Sequence, residues 1–467
     1  MTNPTPQAVG DSAASTLSVF GLFAMGFGQI VGVGWIIIMG SWLAAGGPVG
    51  TMSMLLLGGV LLLSVSLCYG WISQRVREPG GEIAYAKAVF GQRVAFIIGW
   101  FIALFAIAIV SFLTISFGWV TSILLGLPKG PVLYEVFGQS IDAYQFALSL
   151  IGLLTVSLIN LLGIKNAGNF QNLATLFLIV AAFVMIGVSF SFGSISNIEP
   201  FFPPASDTSL VNGLVKVFIT VPFFFAGFQI IPQLVEHMPK KSNVSLGLIM
   251  VVSVISAGLF YAGITLAVSL LAPWQNIIDA ELPVYEAFSN MQFGEILGPV
   301  VLVAGTLGIL TTWNSAFVWA LKILSALAKD HMIPERFYSS PEKKAASVSS
   351  ILLILVSGLA ALFLGRSFIL PIVNFAAASI SLAMVCTTIC VYILYKNEPV
   401  AEGLWGGMAT IIFAIITAVS MFGLALYEPW KAAEGVPLEA VVFLIWTSLG
   451  VLLWWSRGKK ISKAHRG

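Results

Sequence analysis

Apolar runs of about 20 residues recur down this chain, and they leave it little choice of fold. They lie near 16–45, 50–74, 94–126, 145–163, 168–192, 211–236, 244–271, 297–328, 347–365, 369–395, 405–427 and 438–456. A run of that length matches the hydrocarbon thickness of a bilayer, where no water satisfies backbone N–H and C=O groups, so each run must close its own hydrogen bonds as a helix. Twelve runs predict an all-α integral membrane protein with twelve transmembrane helices and the lipid bilayer as its solvent. Composition excludes a soluble fold, since 58% of the 467 residues are hydrophobic and only 9% are charged. A net charge of +2 leaves no electrostatic footprint for nucleic acid.

Charge placement sets the orientation. Seventeen Lys and Arg residues follow the second, fourth, sixth, eighth and tenth runs or end the chain, whereas the opposite side carries four, Lys129, Lys216, Arg366 and Lys431. This positive-inside bias places both termini in the cytoplasm of a multi-pass protein of the cell (inner) membrane. Residues 1–15 read as a polar cytoplasmic tail that lacks the basic start of a signal peptide, and 457–467 as a basic one. Cys68, Cys386 and Cys390 lie inside apolar runs, which points to core packing rather than disulfides. No His or carboxylate accompanies them, so neither a metal nor a cofactor is expected.

Two runs are unfit to be continuous helices. The first holds Gly28, Gly32 and Gly34 within seven residues, and each glycine costs about 1 kcal/mol in a helix interior. Either Gly28 and Gly32 form a small-residue packing face, or the helix is interrupted at Gly32-Val33-Gly34 and presents its freed backbone to a solute. The sixth run reads Val221-Pro222-Phe223-Phe224-Phe225-Ala226-Gly227-Phe228-Gln229 and continues to Pro232 and Glu236, which must disrupt the helical ladder. If the chain holds two five-helix halves, 16–192 and 211–395, followed by two further helices within 405–456, the two irregular runs occupy matching places. Paired interrupted helices in corresponding positions are the sequence sign of a transporter's binding site.

Five stretches, in consistent order over residues 16–395, resemble the amino acid, polyamine and organocation (APC) superfamily of transporters. They are Gly32-Val33-Gly34-Trp35-Ile36, the loop Pro79-Gly80-Gly81-Glu82-Ile83-Ala84-Tyr85, Asn160-Leu161-Leu162-Gly163, Phe225-Ala226-Gly227-Phe228 with Glu236, and Asn314-Ser315 with Leu327 to Pro334. The resemblance implies a leucine-transporter (LeuT) type fold, an inverted five-helix repeat with discontinuous helices 1 and 6. It implies a permease, symporter or exchanger, that moves a zwitterionic amino acid or a small amine by alternating access. The substrate carboxylate would meet the N–H groups of Val33, Gly34 and Trp35 beside Gly32, and the ammonium the carbonyls of Ile30, Phe223 and Ala226 beside Gly227. That placement suits the partial charges of half-helix ends. Phe225 and Phe228, which flank the break, would form an occluding gate or a cation–π contact, with Gln229 just past the break. Many relatives carry serine where this chain has Val33, and proton-coupled relatives place a lysine where it has Leu178, so an unusual substrate and coupling without that lysine are expected.

The remaining candidates are polar. Thr311, Thr312, Asn314 and Ser315 could supply oxygens to a coupling ion or bond their own backbone. Lys322 suits an inner-gate ion pair with Glu236 or Glu82. Helices eleven and twelve mediate subunit contacts in relatives, which leaves a homodimer open. A polyamine or amino-alcohol exchanger, a channel and a membrane receptor are the alternatives. No His/Glu cluster, Ser/His pair or Gly-x-Ser-x-Gly motif points to an enzyme.

Overall fold

The computed structural model describes residues 18–464 apart from positions 77, 79, 163–166, 205–208, 234–244, 340–346, 398–402 and 434. Among these residues ten helices are long and apolar enough to cross a membrane, and two shorter apolar helices, Leu210–Phe224 and Val348–Leu364, lie at the sixth and ninth apolar runs. The chain begins with α1 (Val19–Ile30), α2 (Gly34–Ile37) and α3 (Met39–Arg75), followed by α4 (Glu82–Phe90) and α5 (Gln92–Leu124). After α6 (Ala143–Leu162) and α7 (Ala167–Phe192) come three short pieces, α8 (Leu210–Phe218), α9 (Val221–Phe224) and α10 (Ile230–Gln233). The rest comprises α11 (Leu246–Leu271), α12 (Pro283–Ser289), α13 (Gly294–Lys329), α14 (Val348–Leu364), α15 (Ile369–Asn397), α16 (Gly407–Ala432) and α17 (Leu438–Ala464).

Helix starts follow from side chains that replace missing backbone acceptors. Ser18, Ser209, Ser245 and Ser347 each accept from an N–H in the first turn of the helix they precede. The first and second apolar runs join within α3 at Gly47, whose φ of 64° turns the chain just before Pro48. A Cβ there would lie 2.7 Å from the carbonyl oxygen of Phe201, so only glycine suits the bend.

The helices surround α5, which is buried along most of its length, whereas α16 and α17 face largely outward. α3 lies along α11 and α5 along α13, while α15 packs on both α5 and α16. Trp100 on α5 and Trp446 on α17 are stacked at 4.4 Å and exchange two bonds. Each indole N–H donates to the other's backbone carbonyl, at 2.8 and 2.9 Å.

One element departs from the all-α expectation. Between α5 and α6 the chain folds into an antiparallel hairpin, β1 (Val132–Val136) and β2 (Gln139–Asp142). Its two-residue turn is Phe137-Gly138, both at positive φ (48° and 73°), the geometry that matches the twist of paired strands. The Tyr134 hydroxyl donates to the carbonyl of Phe363 and the Ser367 hydroxyl to that of Val136, so the hairpin is bonded to the region between α14 and α15.

Candidate functional site

The first apolar run is interrupted. Val31 N–H closes α1 on the carbonyl of Phe27 at 2.7 Å, Gly32 N–H turns back to Ile30 at 3.1 Å, and α2 starts at Gly34. Among the described residues, the N–H groups of Val33, Gly34 and Trp35 find no acceptor. The glycines also let neighbours approach. A Cβ at Gly28 would run into Gln171 and Thr175 of α7, one at Gly32 would lie 3.0 Å from the Thr312 hydroxyl, and one at Gly34 would land on the ring of Phe224.

The sixth run is interrupted in the same fashion. α9, with Pro222 in its first turn, ends at Phe224, and the turn 225–229 leads to α10. Gly227 N–H is held by the Gln229 side-chain oxygen at 2.9 Å. The carbonyls of Phe223, Phe225 and Ala226 receive no hydrogen bond from a described residue. The two breaks touch: a Cβ at Gly227 would sit 2.7 Å from the backbone nitrogen of Ile30, and Phe224 covers Gly34.

Side chains from other helices join the breaks. Tyr261 of α11 donates its hydroxyl to Ile30 at 2.8 Å and lies 3.3 Å from the carbonyl of Phe224. Thr312 of α13 donates to the carbonyl of Gly28 at 2.9 Å. The Trp42 indole donates to the Thr220 hydroxyl at 3.0 Å, just before α9. Sequence reasoning singled out neither Tyr261, Phe224 nor Trp42 as site residues. The available signal was the phenol of Tyr261, which, unlike the serines and threonine of the same helix, cannot bond its own backbone and needs a partner elsewhere.

The aromatic candidates divide by direction. Phe223 packs against Phe105 and Phe112 of α5, and Phe224 stands edge-on to Trp42 at 5.0 Å. Phe225 lies against Gly59 of α3 and Tyr261, and Phe228 meets Tyr69 of α3 edge-to-face at 5.5 Å. Trp35 folds its indole N–H back onto the Gly32 carbonyl at 3.0 Å. The ring over the first break is therefore Phe224, while Phe225 and Phe228 wedge the second break against its neighbours.

The polar candidates separate likewise. Gln29 is buried with neither amide atom bonded, and the Gln229 side-chain nitrogen is also without a partner. Thr311 and Ser315 donate to carbonyls of their own helix, and Asn314 pairs with Asn160 of α6 at 3.2 Å. Of these four only Thr312 reaches the first break. Glu82, at the start of α4, is buried and, among the described residues, neither carboxylate oxygen has a hydrogen-bond partner; Lys322 lies exposed on α13. Glu236 falls outside the described residues.

Two cavities lead to the end of α2. One of about 680 Å³ is lined by Trp42, Thr220, Asn374 and Glu439, another of about 670 Å³ by Ile37, Trp119, Asp279 and Arg366, and both include Ile38 and Ser41. No group of three or more His, Cys, Asp or Glu residues suited to a metal occurs among the described residues.

Comparison with known proteins accords with this arrangement. The chain is 24% identical to the methylthioribose transporter of Bacillus subtilis, over 98% of its own length and 97% of that protein's. It is 21% identical to the branched-chain amino acid permease of the same organism, over 96% and 94% of the two lengths. With the vacuolar cationic amino acid transporter 8 of Arabidopsis thaliana it shares 25% identity over 90% and 75% of the lengths. A family profile described as amino acid permease matches residues 17–451, and the chain belongs to that family, within the APC superfamily of membrane transporters.

Proposed function

We propose that this protein is a secondary active transporter that carries an amino acid or a related small amine across the cell membrane by alternating access. The observation that carries the reading is the pair of touching breaks. Unaccepted N–H groups at Val33, Gly34 and Trp35 present partial positive charge, and undonated carbonyls at Phe223 and Ala226 present partial negative charge. A carboxylate and an ammonium on one small molecule complement both, and the buried amides of Gln29 and Gln229 offer further polar contacts. Phe224 over Gly34 would be the ring that yields when solute enters.

The close packing of α3 on α11 and α5 on α13 supports an inverted repeat, because it joins the second expected span to the seventh and the third to the eighth. The charge bias supports cytoplasmic termini. A second reading, a neutral solute, is favoured by Val33, which adds no hydroxyl at the break, and accords with the methylthioribose transporter among the relatives. The permease family supports transport rather than enzymatic chemistry.

The test is uptake and counterflow of labelled solutes in proteoliposomes, with amino acids, amines and methylthioribose as competitors. Saturable uptake accelerated by solute on the opposite side is expected. Flux without saturation or counterflow would replace the carrier by a channel. Competition by methylthioribose but by no amino acid would select the neutral-solute reading.

A further inference from the structure

Away from the two breaks, the structure buries one carboxyl group that no described cation faces. Glu82 opens α4, directly after Gly81, and is 1% exposed. Among the described residues neither oxygen has a partner at hydrogen-bond geometry, nor has the hydroxyl of Tyr69, the polar side chain that faces it from α3. The other titratable groups that act on this site are Tyr85, one turn along α4, and Cys386 of α15; Thr387 of α15 faces Tyr69. From α5 and α13 the neighbours are apolar, since Gly99 and Leu327 pack around Ile83. The lysine of the same helix, Lys87, is engaged elsewhere, with Asp330 at 2.8 Å. Among the described residues no cation is seen to act on Glu82, and a buried carboxylate without a cation is strongly disfavoured.

We propose that Glu82 is a proton-binding site that latches the cytoplasmic side of the protein shut, the protonated carboxyl fitting this closed packing and its ionisation favouring an opened, hydrated one. The inference rests on the transport reading and on the charge-derived orientation. Tyr69 provides the mechanical link, because its ring lies against Phe228 in the second break, so hydrating Glu82 disturbs the wall on which that break rests. No bond is made or broken except the O–H of the carboxyl, whose proton exchanges with cytoplasmic water.

The direction with pH follows. Burial pushes the Glu82 carboxyl up from an ordinary 4.5 to about 7 in the closed packing. Between these values the closed state binds more protons than the hydrated one, so acidification in that window favours closure. Above about 7 the closed state bears the full penalty of the charge, and below 4.5 both states are protonated and the dependence ends.

Two arms test this on the full chain. In detergent, the thermal midpoint of the wild type should lie below that of Glu82→Gln at pH 8 and approach it as pH falls through neutrality; a gap unchanged from pH 8 to 5 overturns the proposal. In proteoliposomes, acidifying the face that carries Lys87 should slow wild-type counterflow at least about tenfold, one unit of pKa difference being a factor of ten. Glu82→Gln should be slow at every pH, and a variant as pH-sensitive as the wild type overturns the proposal. If no solute is carried, the transport reading fails while the melting arm still decides the protonation of Glu82. If Glu82→Gln does not fold, the infrared carbonyl band of a protonated carboxyl, shifted by Glu82→Asp, should vanish from the wild type as pH rises through neutrality, and its absence at pH 5 overturns the proposal.

Discussion

The hydroxyl of Tyr261 donates to the carbonyl of Ile30 across 231 positions of sequence, at 2.8 Å, and the carbonyl of Phe224 lies 3.3 Å from the same oxygen. One proton thus serves two half-helix ends, and it can be given to only one of them at a time. Tyr261→Phe keeps the ring and removes the bond, which should destabilise the protein by about 1 kcal/mol and leave a buried carbonyl acceptor less well satisfied. A lowered thermal midpoint together with a reduced initial rate of uptake is expected; a variant equal to wild type in both would show that the bond has no role in holding the breaks together.

Gly34→Ala is the sharpest steric test, because the new methyl would collide with the Phe224 ring. Overpacking of this kind costs about 1–3 kcal/mol, and uptake should fall at least about tenfold. Phe224→Leu, which shortens the obstructing side chain, should restore part of the rate in the double variant. Measured rates that are additive in the two substitutions would sever Phe224 from Gly34.

Gln29 should behave in the opposite way toward stability and function. Both its amide atoms are buried without partners, so Gln29→Met removes unsatisfied polar groups while nearly keeping the volume. The midpoint should stay level or rise by about 1–3 kcal/mol of stability while uptake falls. A variant that both melts earlier and transports normally would show that the amide is structural.

Thr312 and Ser315 distinguish a bridging hydroxyl from a self-satisfied one. Thr312→Val breaks the bond to Gly28 and should impair transport, whereas Ser315→Ala loses only a bond to its own helix and should stay within about twofold. Parallel uptake measurements in sodium and in a sodium-free medium would show whether either variant alters ion dependence. An equal loss from both would point to a shared ion.

The breaks themselves were legible because glycine and proline cost helix stability that lipid offers no way to recover, so Gly32-Val33-Gly34 and Pro222 to Gly227 had to mark special backbone. What occupies the space left by those glycines was not. Phe224 and Phe225 are adjacent and chemically identical, yet a rotation of 100° per helical residue sends one over Gly34 and the other toward Gly59. Asn314 looked able to reach the first helix, but its partner is Asn160, a relation set by how α6 packs on α13 rather than by local pattern. The hairpin escaped for another reason: strand pairing depends on the partner strand and on the turn, and a short polar-apolar loop carries neither signal strongly.

Gly47 offers a control far from chemistry. Gly47→Ala must place a side chain at φ 64° against the Phe201 carbonyl, at a cost of about 1–2 kcal/mol, and should lower the thermal midpoint while leaving the apparent affinity for solute unchanged. A changed affinity would mean that the bend between the first two spans reaches the site.

The hairpin deserves a mechanical reading. It grows from the end of α5 yet is fastened at Tyr134 and Ser367 to the far part of the chain, and of the connecting residues 125–131 the first three are bonded back to α5 and Gly130 and Pro131 to Asp142 and Ala143. At about 3.3–3.6 Å per residue even a fully drawn connection has a short reach, so any displacement of the hairpin from the end of α5 is limited to that reach. Movement between α5 and the α14–α15 region is therefore bounded, on this side of the protein, by the length of a loop.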